Sequence, residues 1–150
     1  LNDKMNFNKR IAIGSKKEDT RSVAIADLNG DGYQDIISSN IRSKNSILFG
    51  QNDLQYDIEA RFGHSKERTF ALDIGDIDND GDTDIVTANS QGKNVLYLNS
   101  GNGIDFEEQF LSSNELDTYD IQFIDLNLDG YLDIITSNSD GPNLFYLQQN

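Results

Sequence analysis

Three copies of one acidic nine-residue loop constrain this chain more than any other feature. The middle copy, residues 76–84, reads Asp-Ile-Asp-Asn-Asp-Gly-Asp-Thr-Asp, and the other copies occupy residues 27–35 and 125–133, each 49 residues away. Every copy has an Asp or Asn at positions 1, 3, 5 and 9, and a glycine at position 6. Hard oxygen ligands placed around a sharp turn suit calcium.

The segments between the loops repeat with the same period. Each loop is preceded by a short alternating apolar segment and followed by further short runs rich in β-branched and aromatic residues. In the first repeat these segments are 23–25, 35–40, 47–49 and 56–62; in the second they are 72–74, 84–89, 96–98 and 106–111; the third has 121–123, 133–138 and 145–147. Runs of this length between Gly, Asn and Asp predict antiparallel strands joined by tight turns.

This periodicity predicts an all-β chain made of β-propeller blades. A period of 20–50 residues is typical of propellers and solenoids, and four short strands in about 40–50 residues make one blade. We therefore expect one domain over residues 1–150, with repeats at about 22–70, 71–119 and 120–150. The nearly continuous apolar runs indicate sheets that are covered on both faces, as stacked blades are.

The two ends of the chain are out of step with a closed ring. Residues 6–13 precede a fourth strand by 49 residues, while the third repeat stops after its third apolar run. We expect a strand at 6–13 to complete the last blade, in the same chain or in a partner chain. Because propellers typically have 4–8 blades, the chain is either part of a longer propeller or half of a six-bladed ring formed by two copies.

The loops are predicted to bind up to three calcium ions per chain, one in each loop. Positions 1, 3, 5 and 9 would supply side-chain oxygens, and position 7 its main-chain carbonyl. The predicted ligands are Asp27, Asn29, Asp31, Tyr33 and Asp35, then Asp76, Asp78, Asp80, Asp82 and Asp84, then Asp125, Asn127, Asp129, Tyr131 and Asp133.

Two alternatives to this metal assignment differ in strength. An EF-hand needs a bidentate Glu at position 12, where this chain has Ser38, Thr87 and Thr136, so that motif is excluded. The other alternative is three Asx-rich turns that bind nothing, because Asp, Asn and Gly favour turns in any case. Three copies of a mutually repelling carboxylate set are hard to explain without a cation.

Composition excludes several functional classes. There are 26 acidic and 12 basic residues, giving a net charge of -14, which disfavours nucleic acid and anionic membrane surfaces as partners. No apolar run approaches the ~18 residues of a membrane span, so membrane insertion is not expected. The absence of cysteine excludes disulfides, zinc-thiolate sites and thiol nucleophiles. Weak calcium sites fill where calcium is near millimolar, which favours an extracellular or cell-surface location.

No catalytic constellation stands out, so we expect a non-enzymatic protein. His64, the only histidine, lies among Arg61, Lys66 and Arg68, and a solvated loop histidine is the favoured interpretation over a general base. Asparagines recur at two positions of each repeat: Asn40, Asn45, Asn89, Asn94, Asn138 and Asn143. They either close the turn between the second and third strands or form a ligand-binding polar pocket suited to sugar hydroxyls.

The loops and the strands that follow them resemble FG-GAP/VCBS repeats, the blades of integrin-α-type β-propellers and of many secreted bacterial proteins. The matching residues are the three D-x-[DN]-x-D-G-x-x-D loops, each continuing into Asp-Ile-[Ile/Val], and residues 94–103, Asn-Val-Leu-Tyr-Leu-Asn-Ser-Gly-Asn-Gly. The resemblance covers residues 7–150 and implies one structural calcium between the first and second strands of each blade. It differs from a closed ring of six or seven blades in having only three repeats.

The resemblance also implies adhesion or ligand binding, since such propellers occur in receptors, in lectins and beside carbohydrate-active enzymes. Our first hypothesis is a secreted, lectin-like, non-catalytic module that binds a glycan or a protein. The alternatives are a propeller segment of a secreted carbohydrate-active enzyme with catalysis elsewhere, and a structural repeat of a surface assembly. In each case we expect other blades as partners, from the same protein or from a second copy.

Overall fold

Eleven β-strands form the chain in the computed structural model, which describes residues 6, 8–14 and 17–149. The strands are β1 (Thr20–Ala26), β2 (Asp35–Asn40), β3 (Asn45–Gln51), β4 (Gln55–Phe62), β5 (Thr69–Gly75), β6 (Asp84–Gly92), β7 (Val95–Asn99), β8 (Phe106–Phe110), β9 (Leu116–Ile124), β10 (Asp133–Asn138) and β11 (Leu144–Tyr146). One 3-10 turn, Asn52–Leu54, joins β3 to β4. The prediction of an all-β chain is confirmed.

The strands group into three antiparallel blades that follow the repeats. Blade 1 contains β1–β4 in sequential order, and blade 2 contains β5–β8, each strand pairing with the next. Blade 3 contains β9, β10 and β11. Equivalent strands begin at the same place in the period, because Asp35, Asp84 and Asp133 each open the second strand of a blade. The prediction of four-stranded antiparallel blades is thus confirmed for the first two repeats, and the third has three strands.

Neighbouring blades are joined by main-chain bridges at one end and by apolar packing along their faces. Ile41 bridges Arg68 between blades 1 and 2, and Ser90 and Gly92 pair with Asp117 and Leu116 between blades 2 and 3. One core cluster lies between blades 1 and 2 and a second between blades 2 and 3.

Blade 2 is the one covered on both sides. The first seven residues of β6 are all buried, whereas β2 and β10 alternate over much of their length. In the first cluster the rings of Phe62 and Tyr97 meet edge to face, with centroids 5.1 Å apart. The expectation of sheets covered on both faces therefore holds for the middle blade, while blades 1 and 3 each have one open face.

The N-terminal segment does not extend blade 3 in this structure. Residue 6 and residues 8–14 have no strand pairing, and Phe7 lies outside the described residues. Residues 11–14 lie against blade 1, where they share a cavity with Leu48 and Tyr56. Among the described residues β11 pairs with β10 alone. Completion of blade 3 by residues 6–13 of the same chain is not seen here, and its completion by a partner chain stays a prediction.

Candidate metal centre

Each acidic loop connects the first and second strands of its blade and has the same main-chain frame. The first Asp of the loop accepts hydrogen bonds from the N–H groups of positions 5 and 6. For Asp76 these bonds come from Asp80 and Gly81, at 3.1 and 3.0 Å. The matching distances are 3.1 and 2.8 Å at Asp27 and 3.1 and 3.0 Å at Asp125. The glycine at position 6 has φ of 88°, 98° and 90° in the three loops, which is why a glycine is needed there.

The last Asp of each loop fixes the loop to the far end of the third strand. Asp84 is buried, and its two oxygens accept hydrogen bonds from the N–H of Ile77 (2.9 Å) and of Asn99 (2.8 Å). Equivalent pairs of bonds form at Asp35, from Leu28 and Gly50, and at Asp133, from Leu126 and Gln148. Position 9 is therefore a structural residue whether or not it also contacts a cation.

Burial affects the ionisation of this position. It raises the pKa of Asp84 and of Asp35 above the ordinary value of 3.8, and the main-chain hydrogen bonds to each carboxylate offset part of that rise. Neighbouring loop carboxylates add to the rise: Asp78 and Asp80 act on Asp84, and Asp27 and Asp31 act on Asp35. A divalent cation placed among these groups would favour their ionised forms.

The middle loop differs from the others at position 3. In loops 1 and 3 an Asn amide donates to the Asp at position 5, with Asn29 to Asp31 at 3.0 Å and Asn127 to Asp129 at 2.9 Å. Asp78 takes that place in loop 2 and, when ionised, has no proton to donate. The side chain of Asp82 lies against Gly101, where an added Cβ would come within 2.7 Å of its Oδ2.

The arrangement of loop 2 fits a calcium ion. Carboxylate oxygens of Asp76, Asp78 and Asp84 all lie within 4.8 Å of one another. Among the described residues, the ion pairs with basic side chains involve none of the loop carboxylates. Hard oxygens gathered without a neighbouring basic group are the donor set that calcium prefers. Loops 1 and 3 share the frame with an Asn oxygen at position 3, and the carbonyl ligands at position 7 stay predictions.

The recurring asparagines close the turns between the second and third strands. Asn94 accepts a 2.9 Å hydrogen bond from the N–H of Asn89, whose own amide donates to the carbonyl of Lys93. Asn45 and Asn40 repeat this arrangement in blade 1, and Asn143 and Asn138 in blade 3. In blades 1 and 2 all four side chains are buried. These contacts favour the turn-closing interpretation for Asn40, Asn45, Asn89 and Asn94, and ligand binding by the six asparagines stays a prediction.

A repeated threonine joins these turns to the first strand of the blade, and the sequence analysis missed it. Thr20, Thr69 and Thr118 donate hydrogen bonds of 2.7–2.8 Å to Asn40, Asn89 and Asn138. Thr118 also accepts a bond of 2.9 Å from Asn94 of the preceding blade. The signal was available, because the threonines recur every 49 residues.

His64 lies in the exposed connection between blades 1 and 2, which supports the solvated-loop interpretation. Its Nε2 is 3.4 Å from Glu108, and its N–H donates to the carboxylate of Glu67. Burial, more than the nearby Glu108, raises the pKa of Glu67. Among the described residues, no helix is long and apolar enough to span a membrane.

Stacked antiparallel blades, each with an acidic loop between its first two strands, define a repeat protein of the β-propeller type. A family model described as an FG-GAP-like repeat matches residues 27–87 and again residues 76–136. These matches together cover more than half of the 150 residues. The chain belongs to the FG-GAP-like repeat family, as its motifs predicted. A search of curated proteins finds no match.

Proposed function

We propose that this chain is a calcium-stabilised, extracellular β-propeller module that binds a glycan or a protein and has no catalytic role of its own. One observation carries the metal part of the proposal: the frame of the acidic loop is the same in all three blades and gathers the carboxylates of Asp76, Asp78 and Asp84. Eleven Asp residues lie in the three loops. Three dications would bring the net charge from -14 to about -8.

Calcium would act here by holding the first two strands of each blade in register. The ligands at positions 1, 3 and 5 lie on the loop, and position 9 opens the second strand while contacting the end of the third. An ion bound only to the folded state stabilises it by RT ln(1 + [L]/Kd), about 2.7 kcal/mol at a hundredfold excess over Kd. Removing the ion would return the carboxylates to mutual repulsion.

The melting temperature with and without calcium tests this part of the proposal. We expect a chelator to lower Tm by several degrees or more, and added calcium to restore it. Magnesium at the same concentration is the control, since it gives up its own waters reluctantly and should restore less. An unchanged Tm under chelation would rule out the metal assignment.

The binding role is proposed for the surface at the calcium end of the blades. There the loops hold apolar side chains in solvent: Leu128 is 86 % exposed and Tyr33 is 45 % exposed. Exposed apolar groups on a rigid frame suit contact with a sugar ring or an apolar protein surface. A glycan array probed in calcium tests the lectin-like form, and silence across the array would leave a protein partner or a structural role in a surface assembly.

A further inference from the structure

We propose that two copies of this chain join head to tail, the open face of blade 3 in one copy packing on the open face of blade 1 in the other. The inference rests on comparing each open face with the two blade contacts already present inside the chain, and it does not depend on the metal. With three blades in each copy, two such contacts would close a six-bladed ring, which is within the range of known propellers.

The open face of blade 3, here called the trailing face, consists of Leu126, Ile135, Phe145 and Leu147. Their side chains are 43 %, 38 %, 60 % and 43 % exposed. The residues one and two periods earlier in the chain pack against the next blade: Leu28, Ile37, Ile47 and Phe49 in blade 1, and Ile77, Val86, Leu96 and Leu98 in blade 2. The trailing face therefore has the side chains of a blade contact without the blade that would cover them.

The open face of blade 1, here called the leading face, has the complementary pattern. Val23 and Ile25 are 61 % and 58 % exposed. One period later, Leu72 and Ile74 pack against blade 1, and two periods later Ile121 and Phe123 pack against blade 2. An exposed apolar strand face of this kind is unfavourable in water and is normally covered.

Polar residues at the rim of the two open faces identify them as partners for each other. In the contact between blades 2 and 3, Ser90 donates to Asp117 and Asn94 donates to Thr118. One period after Ser90 and Asn94, the trailing face has Ser139 and Asn143; two periods before Asp117 and Thr118, the leading face has Asp19 and Thr20. The same two donor–acceptor pairs can therefore form between copies. All four residues are exposed in the single chain.

The N-terminal segment fits the same arrangement. Residues 13 and 14 now lie over the leading face, beside Val23 and Ile36. Ile13 stands 49 and 98 residues before Phe62 and Leu111, which contribute to the two internal contacts. If residues 8–13 paired with β11 of the other copy, they would uncover the leading face and also occupy the free edge of β11. Both changes remove a surface that invites aggregation.

The molar mass in solution tests whether the copies join. Sedimentation equilibrium in calcium should give twice the 16.8 kDa of one chain. Phe145→Asp should raise the dissociation constant of the pair about tenfold or more, because it places a charge at the centre of the contact. Ile104→Asp, at a loop residue that is 60 % exposed, is the matched control and should leave the mass unchanged. A monomer at all concentrations, or a dimer unaffected by Phe145→Asp, would overturn the proposal.

A cysteine pair tests which faces meet, since the chain has no cysteine of its own. Ser90 and Asp117 face each other across the β6–β9 pairing, a spacing at which a disulfide can form. The double variant Asp19→Cys with Ser139→Cys should therefore give a cross-linked species of twice the chain mass on oxidation. Ser90→Cys with Asp117→Cys, which should cross-link within one chain, is the positive control. Cross-linking in the control alone would overturn the proposed pairing.

Discussion

The side-chain amide of Asn99 donates a 2.8 Å hydrogen bond to the carbonyl of Leu28, which lies in the acidic loop of the preceding blade. The N–H of Asn99 donates to Asp84, and the N–H of Leu28 donates to Asp35. These three bonds connect the last Asp of loop 1 to the last Asp of loop 2. The candidate sites of blades 1 and 2 are thus mechanically joined through one buried asparagine.

Replacing Asn99 by Ala should destabilise the protein by about 2–3 kcal/mol, since the side chain makes three hydrogen bonds at about 1 kcal/mol each. Besides Leu28, its partners are the carbonyl of Thr83 and the N–H of Gly103. Urea unfolding in calcium measures the change. Asn102→Ala is the control, because Asn102 is exposed, and it should cost less than about 1 kcal/mol. Equal losses in the two variants would contradict the role assigned to Asn99.

Two Asp substitutions in loop 2 should separate the structural from the metal-binding contribution. Asp84→Ala removes the acceptor of two main-chain N–H groups and should cost about 2–4 kcal/mol even in chelator. Asp78→Asn introduces the residue type that loops 1 and 3 already have, so in chelator its effect should stay within about 0.5 kcal/mol. Urea unfolding with and without calcium gives both values. The distinction fails if Asp84→Ala is harmless in chelator.

The repeats made most of the fold predictable from the sequence. The 49-residue period, the turn residues at fixed offsets and the apolar runs identified the strands of the blades to within a few residues. The frame of the acidic loop followed from the position of its glycine, since the structure has positive φ at Gly32, Gly81 and Gly130.

Features that do not recur were beyond the reach of the periodicity. Asn99 corresponds to Gly50 in blade 1 and to Gln148 in blade 3, so no repeated signal marks its contact with Leu28. The N-terminal segment has the sequence of a fourth strand, but no free strand edge lies beside it in blade 1, where β4 already completes the sheet. Strand formation there depends on a partner edge, which local sequence does not specify.

Without metal, the free energy of unfolding should fall as the pH rises from below 4. Burial raises the pKa of Asp35 and Asp84 above 3.8 in the folded state. The folded state therefore binds these protons more tightly than the unfolded chain, and the stability they contribute is complete below pH 3.8 and is lost as the pH rises through their folded pKa values. Urea unfolding of metal-free protein from about pH 3.5 to about pH 7 tests this.

Calcium should counteract that trend, because it binds the ionised carboxylates and so stabilises more as the pH rises. Glu67→Gln serves as a comparison variant. Burial raises the pKa of Glu67 above its ordinary value of 4.5, so its removal should make the metal-free slope shallower. Metal-free protein that gains stability with rising pH would contradict the assignment.

Gly103→Ala should be strongly destabilising, by more than about 2 kcal/mol. Gly103 has φ of 67°, and a Cβ there would lie 2.8 Å from Cε1 of Phe49 and 3.1 Å from Cβ of Leu28. Gly141→Ala is the control, since a Cβ there meets nothing within 4 Å. Thermal unfolding in calcium measures both. A similar Tm for the two variants would show that the loop after β7 does not pack on loop 1 as described.

The calcium content of the folded chain tests the central claim most directly. Equilibrium dialysis, or native mass spectrometry in calcium, should give three ions per chain. The variant Asp76→Ala, which removes the acceptor of two loop N–H groups and a predicted ligand, should retain two. Fewer than one bound ion per chain, together with a Tm that is insensitive to chelator, would contradict the claim and leave the three loops as turns held by their own hydrogen bonds.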